Sequence, residues 1–244
     1  MFFTTNWNGN DTYDIKSNSN IVFAHRGVTT NSPENTIGAI QDGIALKFSA
    51  FEVDLRTTKD NKLILFHDLT GERLLSDPRK IELVNWAELK TMKINFKGKA
   101  TNHHLIEFSE LCNNLSNNIL LYLDIKNSNF KTANLLAKTI KEKELYNSVI
   151  VASTNFLFIS YLKFIDPKIK TTLEGFNKGK EWIYFIIPPS FEPNYFASFL
   201  SEINENHMLF LKKQEIVNRK IVYGVNSGNI DDVLRRSEEH TSEL

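Results

Sequence analysis

The side chains best equipped for chemistry fall at short, repeated spacings. Glu52 and Asp54 sit two residues apart within Phe51-Glu-Val-Asp-Leu55. On a strand they share one face, while Phe51, Val53 and Leu55 occupy the other. Two carboxylates held this close repel and raise each other's pKa unless a cation compensates, so the pair calls for a bound metal or for Arg and Lys partners. An all-oxygen donor set favours a hard divalent ion, Mg²⁺ or Ca²⁺. Asp124 and Lys126 repeat the spacing after an apolar run, adding a third carboxylate and a lysine. His25-Arg26-Gly27 supplies an acid/base group, a fixed cation and a glycine that lets backbone approach a ligand. In His67-Asp68 the carboxylate can fix the imidazole tautomer or hold it protonated. Two histidines flanking three carboxylates point to paired acid and base catalysis.

Parallel strands can gather such groups at their carboxyl ends. Short apolar, β-branched runs over residues 21–25, 50–55, 119–125, 149–152, 170–173, 183–187 and 221–225 read as strands. Helical patterns over 35–46, 130–144, 156–164 and 193–205 lie between them. The alternation predicts an α/β protein, a (β/α)8 TIM barrel, with a doubly wound open sheet as the alternative. The run 62–66 reads as a hairpin partner of the Asp54 strand through an Asp60-Asn61 turn. That turn would set Asp54 opposite His67, with facing residue numbers summing to about 121. Ser32 and Pro33 read as N-cap and first residue of the first helix.

The 244 residues, 41% hydrophobic, can bury one substantial core. With 29 basic against 29 acidic residues the chain lacks the positive field a nucleic-acid partner requires. The single cysteine, Cys112, reads as a buried, inert thiol with no disulfide partner in the chain. His103, His104 and His207 lack acidic or basic company and read as surface residues. Residues 1–20 form a polar segment without a secretory signal, and no stretch reaches the apolar length of a membrane span, so the protein reads as cytoplasmic. Residues 21–235 read as an incomplete barrel domain. Arg236 to Leu244 reads like a translated sequencing adapter, a non-native tail that would truncate the chain before an eighth strand and expose sheet edges.

From residue 21 to about 233 the sequence closely resembles the glycerophosphodiester phosphodiesterases. They are a branch of the barrel-shaped phosphodiesterases that includes phosphatidylinositol-specific phospholipases C. The resemblance rests on His-Arg-Gly at His25, Pro-Glu-Asn-Thr at Pro33, Glu-x-Asp at Glu52, His-Asp at His67 and Asp-Ile-Lys at Asp124. It implies that Glu52, Asp54 and Asp124 bind one divalent cation, Mg²⁺ or Ca²⁺. It also implies that His25 and His67 act as general acid and base, and that Arg26 and Lys126 neutralise phosphate. The implied reaction converts a small-molecule glycerophosphodiester into glycerol phosphate and an alcohol through a cyclic phosphate. A lysophospholipase D-type activity, a catalytically impaired remnant that binds phosphate esters, and a metal-dependent sugar isomerase or aldolase are the competing expectations. Three features depart from the family pattern: Asp124 stands where glutamate is usual, Tyr223-Gly224 replaces an aromatic-threonine pair, and the usual eighth-strand motif is absent. Specificity is expected in the loops 95–104 and 188–194.

Overall fold

The computed structural model describes residues 21–115, 118–177, 179–225 and 228. The segment 1–20 and the tail 236–244 therefore lie outside the described residues.

Chain order runs β1 (Ala24–His25), α1 (Ile37–Ala45), β2 (Ala50–Thr57) and β3 (Leu63–Leu65). An insertion follows, with β4 (Thr70–Gly71), α2 (Glu72–Leu75), β5 (Asp77–Lys80), α3 (Trp86–Leu89), β6 (Lys93–Phe96) and β7 (Lys99–His104). Alternation resumes with α4 (Phe108–Asn114), β8 (Leu120–Ile125), α5 (Phe130–Glu142), β9 (Val149–Ser153), α6 (Phe156–Ile165) and β10 (Thr171–Glu174). It ends with α7 (Trp182–Ile186), β11 (Tyr195–Phe199), α8 (Glu205–Lys213) and β12 (Lys220–Tyr223). The main sheet is ordered β1-β2-β8-β9-β10-β11-β12, all parallel, with β3 antiparallel on β2. The expected β/α barrel architecture is thus present, and among the described residues β1 and β12 do not pair.

Strand alternation makes two apolar layers. Phe51, Val53 and Leu55 point outward into a core with Ile40 of α1, Leu136 and Ile140 of α5, and Phe158 and Leu162 of α6. Ala50, Leu120, Tyr122, Ile150, Ala152 and Tyr195 pack inside the curled sheet and floor the site. The insertion has its own small core of Phe66, Leu74, Leu75, Ile81, Val84, Leu89, Ile94 and Leu105.

Several expectations change. The sixth parallel strand is Tyr195–Phe199, and residues 183–187 instead contribute to the short helix α7. Aromatic and β-branched content made the Ile183-Tyr-Phe-Ile-Ile187 run look extended. Tertiary contact decides otherwise, because Tyr184 packs against Phe196 and Phe210 from the helical layer. The helix expected over 193–205 starts only at Glu205. In the hairpin, Leu55 faces Leu65 and Thr57 faces Leu63, so Phe66 rather than His67 falls opposite Asp54. The cause is a three-residue loop, with Thr58 N donating to Lys62 O and Asn61 in the left-handed region (φ 63°). Helix α1 is capped by Thr36, whose side chain accepts from Ala39 N; Ser32 instead donates to Asp42 Oδ2. His207 is fully buried, not at the surface, and the Cys112 thiol is half-buried, its pKa pushed up to about 12 by desolvation. The loop 188–194 leads into the amino end of β11, away from the strand ends that carry the acidic groups.

Candidate active site

Glu52 and Asp54 face into the barrel from β2, and Asp124 faces in from β8, where Asp54 and Asp124 are register partners. One oxygen from each of the three carboxylates lies within 4.8 Å of the other two. Asp54 is 1% exposed. Burial, then the charges of Asp54 and Asp124, push the Glu52 pKa strongly upward. Such a group calls for positive charge, and the protein places Lys126 Nζ 2.5 Å from Asp124 Oδ2 and 2.9 Å from Asp54 Oδ1. Burial alone would lower the Lys126 pKa, but Asp54 and Asp124 outweigh it and raise it. The approach to Asp54 Oδ1 lacks hydrogen-bond alignment, leaving that buried oxygen without a hydrogen-bond donor. All-oxygen donors, mutual repulsion and this oxygen fit one hard divalent cation held by Glu52, Asp54 and Asp124.

His25 ends β1 beside Glu52, its Nε2 3.8 Å from Glu52 Oε2. Desolvation and then the Arg26 guanidinium lower its pKa, although 71% of the side chain meets solvent, which screens both effects. His67 follows β3, its Nδ1 2.7 Å from Asp68 Oδ1, which leaves Nε2 for a ligand. Arg73 donates to both Asp68 and Glu34, and Glu34 accepts from Arg26 Nη1 at 2.9 Å. Arg26 Nε lies 3.1 Å from Asp54 Oδ2. A continuous chain of charges therefore runs from His67 through Asp68, Arg73, Glu34 and Arg26 to Asp54. The cations expected to meet phosphate, Arg26 and Lys126, are both engaged with carboxylates here.

The loop after β1 stores backbone strain. Arg26 and Asn35 both have φ of 57°, a region that costs a non-glycine residue energy and is found where surroundings over-determine it. The strained turn aims Asn35 at Asp54, donating from Nδ2 to Oδ2 at 2.7 Å and accepting from Asp54 N at 3.0 Å. At Gly27 (φ 84°) a Cβ would lie 2.8 Å from Ala39, so both the backbone conformation and the packing against α1 require glycine there.

The structure thus brings His25, Arg26, Glu52, Asp54, Asp124 and Lys126 together, with His67 tied in through Asp68. The sequence reading missed Glu34, Asn35, Arg73 and Glu174. Asn35 and Glu34 lie inside the Pro33-Glu-Asn-Thr36 motif, whose composition signalled a helix start but not a brace. Glu174 was findable as a polar residue ending a strand on the inner face. A separate cavity of about 510 Å³, lined by residues including Trp86, Lys90, His103 and Glu110, shares no residue with the carboxylate centre.

The sequence profile of the Glycerophosphoryl diester phosphodiesterase family matches residues 25–226. Over 166 residues the chain is 30% identical to the glycerophosphodiester phosphodiesterase of Caldanaerobacter subterraneus subsp. tengcongensis, a match covering 63% of this chain and 65% of that protein. Glycerophosphodiester phosphodiesterase 1 of Bos taurus is 28% identical, over 62% of this chain and 47% of the relative. The chain therefore spans less than two thirds of the length of these curated relatives. Among solved structures, an Oleispira antarctica phosphodiesterase in complex with the product sn-glycerol-3-phosphate superposes with a TM-score of 0.76 at 17% identity, covering 88% of each chain. The glycerophosphodiester phosphodiesterase of Thermotoga maritima superposes with a TM-score of 0.68 at 22% identity, covering 89% of this chain and 91% of that one. At such identities the likeness establishes the fold.

Proposed function

Since the chain belongs to the Glycerophosphoryl diester phosphodiesterase family, we propose that it hydrolyses glycerophosphodiesters to glycerol phosphate and an alcohol with the help of one divalent cation, Mg²⁺ or Ca²⁺. The observation that carries the reading is the convergence of Glu52, Asp54 and Asp124 within 4.8 Å, with His25 beside them. The hydrolysis product named for the Oleispira structure agrees with it.

Glu52, Asp54 and Asp124 would hold the cation, which would supply Lewis acidity toward the phosphate oxygens and the glyceryl hydroxyl. Arg26 and Lys126 offset the phosphate charge, exchanging part of their carboxylate contact for the ligand. One histidine accepts the proton of the glyceryl hydroxyl next to the phosphate as that oxygen bonds to phosphorus. The other protonates the alcohol oxygen as its P–O bond breaks. A five-membered cyclic phosphate and the free alcohol result. With the histidines in reversed roles, water opens the ring; the sum is diester plus water giving glycerol phosphate plus alcohol. Asp68 holds His67 in place through both steps.

Turnover of bis(p-nitrophenyl) phosphate and of a panel of glycerophosphodiesters tests this, with Mg²⁺ or Ca²⁺ and then with chelator. The expected result is cation-dependent release of glycerol phosphate, with a cyclic phosphate visible by phosphorus NMR early in the reaction. Turnover indifferent to chelator, or none across the panel, ends the reading.

A further inference from the structure

Glu174 is a fourth inward-facing carboxylate in the barrel mouth, outside the triad. It ends β10, two strands from Asp124 in the order β8-β9-β10. Its neighbour Leu173 points outward into the core with Phe176 and Phe196, so Thr172 and Glu174 face the interior. There the Tyr122 hydroxyl, from the inner face of β8 two residues before Asp124, donates to Glu174 Oε1 at 3.0 Å. Through the register of Asp124 with Ala152 and of Ala152 with Thr172, Thr172 lies level with Asp124 and Glu174 stands on the inner face two residues further toward the carboxyl end. Burial, and then Asp124, raise its pKa.

Charge distribution decides what such a group can contact. The nearby cations, Arg26 and Lys126, are bound to Glu34, Asp54 and Asp124, and the hydrogen bond Glu174 receives comes from a neutral phenol. An anchored carboxylate beside three others repels a phosphate. It accepts well from neutral hydroxyls, and a glyceryl group bears them next to the phosphate. Glu174 is also not one of the carboxylates that converge within 4.8 Å, so it stands beside the candidate cation site, not in it.

We propose that Glu174, positioned by Tyr122, is a specificity-determining residue that accepts a hydrogen bond from the terminal hydroxyl of the glyceryl group, the one that does not attack phosphorus, while the triad and its cations take the phosphate. The proposal rests on the phosphodiesterase reading and deepens it.

The test compares binding of sn-glycerol 3-phosphate with binding of n-propyl phosphate, which lacks both hydroxyls, by calorimetry in saturating Mg²⁺ or Ca²⁺. The full chain, Glu174→Gln and Tyr122→Phe are compared, with thermal melting to establish that each variant is folded. The unaltered protein is expected to prefer glycerol phosphate. Glu174→Gln keeps the shape but removes the charge, and should cut that preference by roughly tenfold to a hundredfold, the span of a hydrogen bond to a charged group. Tyr122→Phe, which frees the carboxylate to swing, should cut it by less. No preference in the unaltered protein, an intact preference in Glu174→Gln, or equal losses for both ligands overturns the proposal. Turnover is read separately: a preference without turnover sinks the hydrolytic reading and keeps this one, and turnover without a preference does the reverse.

Discussion

Lys126 and Lys220 carry the same side chain into two partly buried networks and are driven in opposite directions. Lys126 stands among Asp54 and Asp124, and its pKa is raised despite desolvation. Lys220 lies between the sheet and α8, donating to Phe176 O at 2.8 Å and to Ser198 Oγ, with His207 Nε2 3.2 Å away. Burial lowers its pKa to about 7, against a weaker pull from Glu202 and Glu181. His207 in turn contacts Glu181 through Nδ1 at 3.0 Å, and Glu181 accepts from Gly179 N. The Lys220 network closes on itself, with donors matched to protein acceptors. The Lys126 network has surplus negative charge, a buried Asp54 oxygen lacking a hydrogen bond, and histidines open to solvent. Buried polar groups that satisfy one another join a fold together; those left with a charge surplus are built for something that arrives from outside.

The sharpest way to break this contrast is to remove one histidine from each network. His25→Ala or His67→Ala should lower turnover by roughly a hundredfold or more, with the melting temperature nearly unchanged for His25→Ala, whose side chain is mostly exposed, and lowered modestly for His67→Ala, whose half-buried ring is paired with Asp68. His207→Ala should leave the chemical step alone and lower the melting temperature, since it empties a fully buried site under Phe176. Near-normal turnover in both His25→Ala and His67→Ala would defeat the assignment of roles.

Divalent cations give the second test. At a concentration about a hundred times its dissociation constant, a cation bound only by the folded state adds roughly 2.7 kcal/mol of stability. Glu52→Gln should abolish most of that gain. The sign with pH follows from the raised Glu52 pKa: the folded state holds a proton that the unfolded chain has released, so cation-free protein loses stability as pH climbs from about 4.5. Glu52→Gln should flatten that decline. Melting curves from pH 4 to 8, with and without cation, read both effects; a cation shift that survives Glu52→Gln removes this carboxylate from the site.

Much of the chemistry was legible because it is local. Glu52 and Asp54 declare a shared strand face by spacing alone, and His67-Asp68 is a contiguous pair. Groups assembled over long separations were not. His207, Lys220 and Ser198 meet only after α8 folds back on β11 and β12, so His207 looked like a surface residue. Asn35 was hidden for another reason: its aim at Asp54 depends on a left-handed backbone that its residue type permits but does not announce. The sixth strand was misplaced because Ile183-Tyr-Phe-Ile-Ile187 has stronger strand composition than Tyr-Phe-Ala-Ser-Phe at Tyr195–Phe199. Only the tertiary frame tells which run belongs to the sheet.

Arg73 separates the proposed catalytic network from its support. It is half exposed, touches no expected ligand, and links Asp68 behind His67 to Glu34 behind Arg26. Arg73→Ala should therefore cost roughly tenfold in turnover through a displaced His67, less than loss of the histidine itself. Arg73→Lys should recover little, since one ammonium cannot span two carboxylates as the guanidinium fork does.

The smallest effect on turnover is expected at Lys220, where the change is in the slope of stability with pH. Its lowered pKa means that between about pH 7 and 10.5 the unfolded chain binds a proton which the folded chain has released. Stability from this group therefore rises with pH across that window, opposite in sign to the effect of Glu52. Lys220→Met fills a similar volume without a charge and should remove the rise, while turnover at neutral pH stays within about twofold. The readout is melting temperature against pH for the two proteins in saturating cation, which suppresses the Glu52 contribution. Parallel curves would mean that Lys220 keeps its proton when folded, held by Phe176 O and Ser198 Oγ. The two lysines would then differ only in their partners, not in the charge they carry.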